Sequence, residues 1–132
     1  MSDEHKPASL VRRLNPILHD PVYVFVSVPS GTPFPEQLRP LLTFVESEGT
    51  TLIVEQQAAR AAGVEGIFPC RQITLTVLSD LASVGLMAAV TSRLARDGIA
   101  VNPVSGFYHD HVFVPEERAD GALAALLSLM NG

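Results

Sequence analysis

Ile73–Pro115 reads ITLTVLSDLASVGLMAAVTSRLARDGIAVNPVSGFYHDHVFVP. Its start alternates, with Ile73, Leu75 and Val77 on one side and Thr74 and Thr76, preceded by Gln72, on the other; that period of two predicts a half-buried strand over 72–78. Residues 79–83 read as a loop. Leu86, Met87, Val90 and Leu94 then recur at helical spacing, so a helix is expected over 84–97, capped by Ser83 and stopped by Gly98. Ile99–Ser105 follows as a strand, with Pro103 pointing to an edge or a bulge. Gly106 turns the chain, and Tyr108–Val114 is the returning strand.

Working outward, Pro115-Glu116-Glu117 opens a last helix whose core stripe is Leu123, Leu126, Leu127 and Met130. Upstream, Val22–Val28 (VYVFVSV) is β-branched and aromatic throughout, as expected of a central strand covered on both faces. Leu38, Leu41, Leu42 and Val45 fall at i, i+3, i+4 and i+7, predicting a helix over 36–48 stopped by Gly49. Thr50–Glu55 is a strand and Gln56–Ala62 a helical turn ending at Gly63. Residues 64–69 read as a short strand or an irregular connection, with Ile67 and Phe68 buried either way. Residues 1–7 are polar and expected to fray. Ser9 should cap a short helix through Leu14, and His19-Asp20-Pro21 is a turn signal.

The element order is αβαβ(α) followed by βαββα. Each half looks like part of a split βαβ, ferredoxin-like unit. The second half lacks its last strand, which must come from the first half or from a second copy of the chain.

The chain has 132 residues, 47% hydrophobic and 17% charged, which fits one domain or two small ones sharing a core and excludes wholesale disorder. A net charge of −5 without a basic stripe argues against nucleic acid as main partner. The single cysteine, Cys70, has no internal disulfide partner and reads as a structural thiol. With no signal-like segment and no long apolar run, no membrane association and a cytoplasmic location are expected.

His109 and His111 lie two apart on a strand and so share a face, with Asp110 on the other. Such a pair suits two half-exposed histidines, a contact to a small molecule or subunit, or part of a metal site that would need further ligands. The loop Ser79, Asp80, Ser83, Val84, Gly85, Leu86 leads into a helix start, where unpaired N–H groups and the dipole favour a carboxylate. Plain capping and close packing at Gly85 would account for the same residues. Asn102 sits mid-strand among apolar neighbours and either meets a ligand or faces water. No GxSxG elbow, phosphate loop or dinucleotide glycine pattern occurs, so nothing argues for an enzyme.

The stretch from Ile73 to Pro115, with Val84-Gly85-Leu86 at the helix start, Asp97-Gly98-Ile99 at its end and YHDHVFVP at Tyr108–Pro115, resembles the ACT domain. With ESEGTTLI at Glu46–Ile53, it is most similar to bacterial tandem ACT-like proteins of unassigned function. The resemblance implies an α+β, ferredoxin-like βαββαβ architecture in which two ACT-like halves, 1–69 with a leading helix and 70–132, share an antiparallel sheet. It implies a non-catalytic regulatory module, without a cofactor, that binds a small molecule, an amino acid being the expected class, and forms a homodimer. The ligand positions it implies fall on the loop from Ser79 to Gly85, with Asn102 on the facing strand; Leu86, His109 and His111 complete the candidate ligand-binding residues. Many amino-acid-binding ACT domains carry Pro before the glycine and Asp or Asn earlier in the loop; here Val84 takes the first position and Asp80 is displaced. The alternatives are a structural or dimerisation module without ligand, and a metal-binding protein using His109 and His111.

Overall fold

The alternation at 73–77 places Ile73, Leu75 and Val77 in a core, at 0, 0 and 6% exposure, in a computed structural model that describes residues 6–132. Its elements are α1 (Pro7–Arg12), β1 (Pro16–Val28), a 3₁₀ turn at Glu36–Leu38, β2 (Leu42–Val45), β3 (Thr50–Glu55), α2 (Gln56–Ala61), β4 (Ile67–Leu75), α3 (Leu86–Arg96), β5 (Asn102–Ser105), β6 (Asp110–Pro115), a 3₁₀ turn at Glu116–Arg118 and α4 (Ala119–Asn131). Hydrogen-bonded neighbours run β2-β3-β1-β4-β6-β5. The pairs β1–β3, β2–β3 and β5–β6 are antiparallel.

Two compact units emerge, and both β1 and β4 contribute to each. One unit is Asp20–Cys70; the other joins the described residues up to His19 to Arg71–Gly132. In the second, β4, α3, β5, β6 and α4 follow one another in βαββα order. The fourth strand beside β4, missing from that run, is the beginning of β1. Its core gathers Leu10 and Leu14 with Ile73, Leu75, Val90, Leu94, Val112, Val114 and Leu126. Helix α1 packs on α3 and α4. The strand is therefore completed within the same chain. In the Asp20–Cys70 unit the order β2-β3-β1-β4 repeats the arrangement, with the start of β4 as its fourth strand. There Val24, Val26, Leu52 and Val54 pack with Leu38 and Ala59.

Thr50–Glu55, the turn of helix at 56 and the edge position of Pro103 agree with the sequence. Several expectations do not. The helix over 36–48 is replaced by the 3₁₀ turn and the edge strand β2. Arg39 is left-handed (φ +42°) immediately before Pro40, which stops the helix after Leu38. Gly49 belongs to the β2–β3 hairpin, where Glu46 and Gly49 exchange backbone hydrogen bonds of 3.0 and 3.4 Å. A Cβ at Gly49 would lie 2.7 Å from the Val28 carbonyl oxygen. His19-Asp20-Pro21 does not turn but continues β1; the β1–β3 register starts only at Tyr23, so Pro21 costs that ladder no bond. Val22–Val28 is central and largely covered on both faces: Val24 and Val26 are buried on one side, Tyr23 is buried and Phe25 half-buried on the other, and Ser27 is exposed near the strand's end.

Helix α1 starts at Pro7 with Lys6 as its cap residue, so Ser9 sits inside it and accepts from Arg13 Nη2 at 3.3 Å. Residues 1–5 of the expected frayed stretch lie outside the described residues. Ile67 is 73% exposed rather than buried, because β4 begins there at the margin of the sheet. Helix α4 turns its small residues inward: Ala119, Ala122, Ala125 and Leu126 are buried while Leu127 is 45% exposed.

Candidate functional site

Beyond β4 the chain is held by Thr76, whose hydroxyl donates to the Asn15 carbonyl at 2.9 Å. The following loop folds on itself around Asp80. Its Oδ1 accepts from the Ala82 N–H at 3.1 Å and the Ser83 hydroxyl at 3.2 Å, and its carbonyl accepts from the Ser83 N–H at 3.0 Å. Ser83 is thus spent inside the loop and does not cap α3. The cap residue is Gly85, at φ +99°, and it supplies no side chain. The first-turn N–H groups of α3 are therefore left without a side-chain acceptor. Gly85 is also pressed against α1, since a Cβ there would lie 2.7 Å from Pro7 Cγ.

Ser79 reaches across to β6, its hydroxyl donating to Asp110 Oδ2 at 3.2 Å. Together these groups enclose a cavity of about 80 Å³ lined by Ser79, Asp80, Leu81, Ser83, Leu86, Met87, Ser105 and Asp110. A water takes roughly 30 Å³ and drug-sized pockets roughly 300–1,000 Å³, so this space fits a polar head group, not a large ligand. Two carboxylates, Asp80 and Asp110, line it together with Leu86 and Met87 from the start of α3, where the helix dipole favours negative charge. Larger concavities, of about 670 Å³ at Glu36, Gln37 and Arg39 and about 500 Å³ between α1, α3 and α4, are more open, the first ringed by exposed polar side chains and the second mostly apolar.

Of the residues singled out from the sequence, Ser79, Asp80, Ser83 and Leu86 come together here. Gly85 adjoins them as the helix cap, and Val84 points away at 80% exposure. Asn102 is exposed at the far end of β5 and does not line the cavity. His109 and His111 are half-buried and do not line it either. Sequence reasoning missed Ser105 and Asp110. The signal for Asp110 was present in its alternation with the two histidines, which sends it to the opposite side of β6.

His111 belongs instead to a polar row crossing β1, β4 and β6. Gln72 Nε2 donates to His111 Nδ1 at 3.1 Å, and Thr74 Oγ1 lies 3.0 Å from the same nitrogen and 2.7 Å from His19 Nε2. With an amide N–H donating to Nδ1, the neutral ring carries its proton on Nε2. Burial, then the neighbouring His109, lowers the His111 pKa from its ordinary value; Asp110 opposes this and His19 adds to it. Among the described residues, no group of three or more His, Cys, Asp or Glu side chains is placed to hold a metal ion. Burial pushes the Cys70 thiol up to about 12, so it stays protonated and unreactive, its Sγ 3.5 Å from the Tyr23 carbonyl.

Models of the ACT-domain family match residues 4–71 and 67–128. A crystal structure from Vibrio cholerae, of a protein of unknown function described as a possible transport protein, is 39% identical over 96% of this chain and 97% of its own, with a TM-score of 0.85. The ligand-free regulatory subunit of aspartate kinase from Thermus thermophilus shares the fold at 14% identity, covering 89% of this chain and 97% of that one, with a TM-score of 0.64. An Agrobacterium tumefaciens protein is similar at 13% identity over 87% of each chain, with a TM-score of 0.72. No curated protein matches the sequence. Among the described residues no helix is long and apolar enough to cross a membrane.

Proposed function

From a chain that belongs to the ACT-domain family, we propose a non-catalytic regulatory module that binds a small amino acid at the start of α3. ACT-like halves at 1–69 and 70–132, the first lending the beginning of β1 to the second, would carry that site in the second half. The observation that supports the reading is the pairing of an uncapped helix start with the Asp110 carboxylate across one small cavity. An α-amino acid carries both complements. Its carboxylate would accept from the first-turn N–H groups of α3, and its ammonium would sit against Asp110, oriented by Ser79. The cavity admits that head group, while a side chain would leave past Leu81 and Met87. Binding would then bias the assembly or activity of a partner, which requires different affinities for two states.

The test is a thermal-shift screen of the common amino acids at millimolar concentration, on the wild type and on Asp110→Asn. A ligand should raise Tm in the wild type, and the variant should bind about 10-fold or more weakly, since a hydrogen bond to a charged group contributes ~1.5–3 kcal/mol. If no amino acid shifts Tm, the reading fails.

One observation favours a second reading, an interaction module without ligand. Leu78, Leu81 and Val84 on the same loop are 67, 69 and 80% exposed, an apolar group suited to contact with another protein.

A further inference from the structure

Two loops border the cavity at the start of α3, and both hold large apolar side chains in solvent. On the first, Leu78, Leu81 and Val84 are 67, 69 and 80% exposed. On the second, the turn between Ser105 and Asp110, Phe107 and Tyr108 are 78 and 68% exposed. The Ser79 hydroxyl, donating to Asp110 at 3.2 Å, ties one loop to the other. Neither loop is slack. Asp80 Oδ1 braces the first by accepting from Ala82 and Ser83, and the Gly106 N–H closes the second on the His109 carbonyl at 2.9 Å. The Phe107 and Tyr108 rings meet edge-on with centroids 4.9 Å apart. Apolar side chains presented on loops already held in place lose little freedom when they are covered, which favours association.

The charge around this patch narrows what can cover it. No Lys or Arg occurs between Arg71 and Arg93, or between Arg96 and Arg118, the two stretches that supply the loops. Asp80 is exposed, and its Oδ2 accepts from none of the described residues. Nucleic acid and an anionic lipid surface both require cations here. A two-fold contact with a second copy would bring each aspartate toward its own counterpart. We propose that the patch docks an amphipathic helix of a different protein, one whose apolar stripe is flanked by Lys or Arg. The stripe covers Leu78, Leu81, Val84, Phe107 and Tyr108, and a flanking cation meets Asp80 Oδ2. Five side chains make a contact well below the roughly 1,200 Å² of a standard interface, so the complex is transient and salt-sensitive. The proposal builds on the reading of these loops as a contact surface and does not depend on amino-acid binding.

The probe is a labelled helical peptide with a Leu stripe flanked by Lys, compared with the same peptide carrying Glu for every Lys, read by fluorescence anisotropy against the whole chain. The Lys peptide should bind at micromolar concentration in about 0.05 M salt and about 10-fold more weakly in about 0.5 M, and the Glu peptide should not bind. Phe107→Ser and Val84→Ser should each weaken the Lys peptide about 10-fold with an unchanged thermal melt, while Phe44→Ser, at an exposed ring on β2, should leave it unaltered. Should Val84→Ser lower the melt, Phe107→Ser still decides. Two peptides that bind alike, both weakened by Phe107→Ser, would keep the contact surface and overturn the basic partner. No binding, or binding indifferent to Phe107→Ser, overturns the proposal together with the contact-surface reading.

Discussion

Gly85 and Gly121 carry the same residue type under opposite demands. Gly85 is left-handed and a Cβ would run into Pro7, a ring with little freedom to move. Gly85→Ala should cost about 1–3 kcal/mol of stability. Gly121 lies within α4 with open space around its Cα, so Gly121→Ala should stabilise by ~0.5–1 kcal/mol. Urea midpoints of the two variants check the pair. His111 sets a pH dependence. Its folded pKa is lowered, so the unfolded chain takes up the proton first as the pH falls below about 6.5. Its contribution is intact above that point and declines as the pH falls toward the lowered value. Wild type should lose more stability than His111→Gln between pH 7.5 and pH 5, measured by denaturant melts.

At the scale of elements, Leu38 and Leu41 distinguish the helix expected at 36–48 from the strand that forms. A helix would bury both. In the structure Leu38 is 1% exposed in the Asp20–Cys70 core, and Leu41 is 47% exposed. Leu38→Ala should cost about 2–5 kcal/mol and Leu41→Ala well under 1, read from urea midpoints. The region from Ile73 to Pro115 was legible because alternation and helical period agree with what each segment buries. The 36–48 region was not, because four apolar residues at helical spacing cannot report that Arg39 is left-handed and that the residue before a proline avoids the helical region. The same limit applies to the site. The loop from Ser79 to Leu86 could be found from its position before a helix. That Ser83 bonds Asp80 rather than α3, and that Asp110 joins the cavity, depends on which strands become neighbours.

At the scale of the molecule, the missing strand could be inferred from the element order but not its source. A fragment of residues 70–132 lacks the beginning of β1 and also Leu10 and Leu14, both fully buried in that unit's core. It should be largely unfolded by circular dichroism, and adding a peptide of residues 1–20 should restore part of the native signal.

The dual use of β1 also sets an order of events during synthesis. Asp20–Cys70 is contiguous, so everything it needs has left the ribosome once Cys70 has emerged. The other unit is split by that segment: its helix α1 and the first residues of β1 are made before it, and must wait without their native neighbours until β4, α3, β5, β6 and α4 follow. Contacts this distant in sequence, such as His19 with Thr74, form late and slowly. Until those elements emerge Leu10 and Leu14 are without their native neighbours, and that interval leaves the nascent chain open to aggregation.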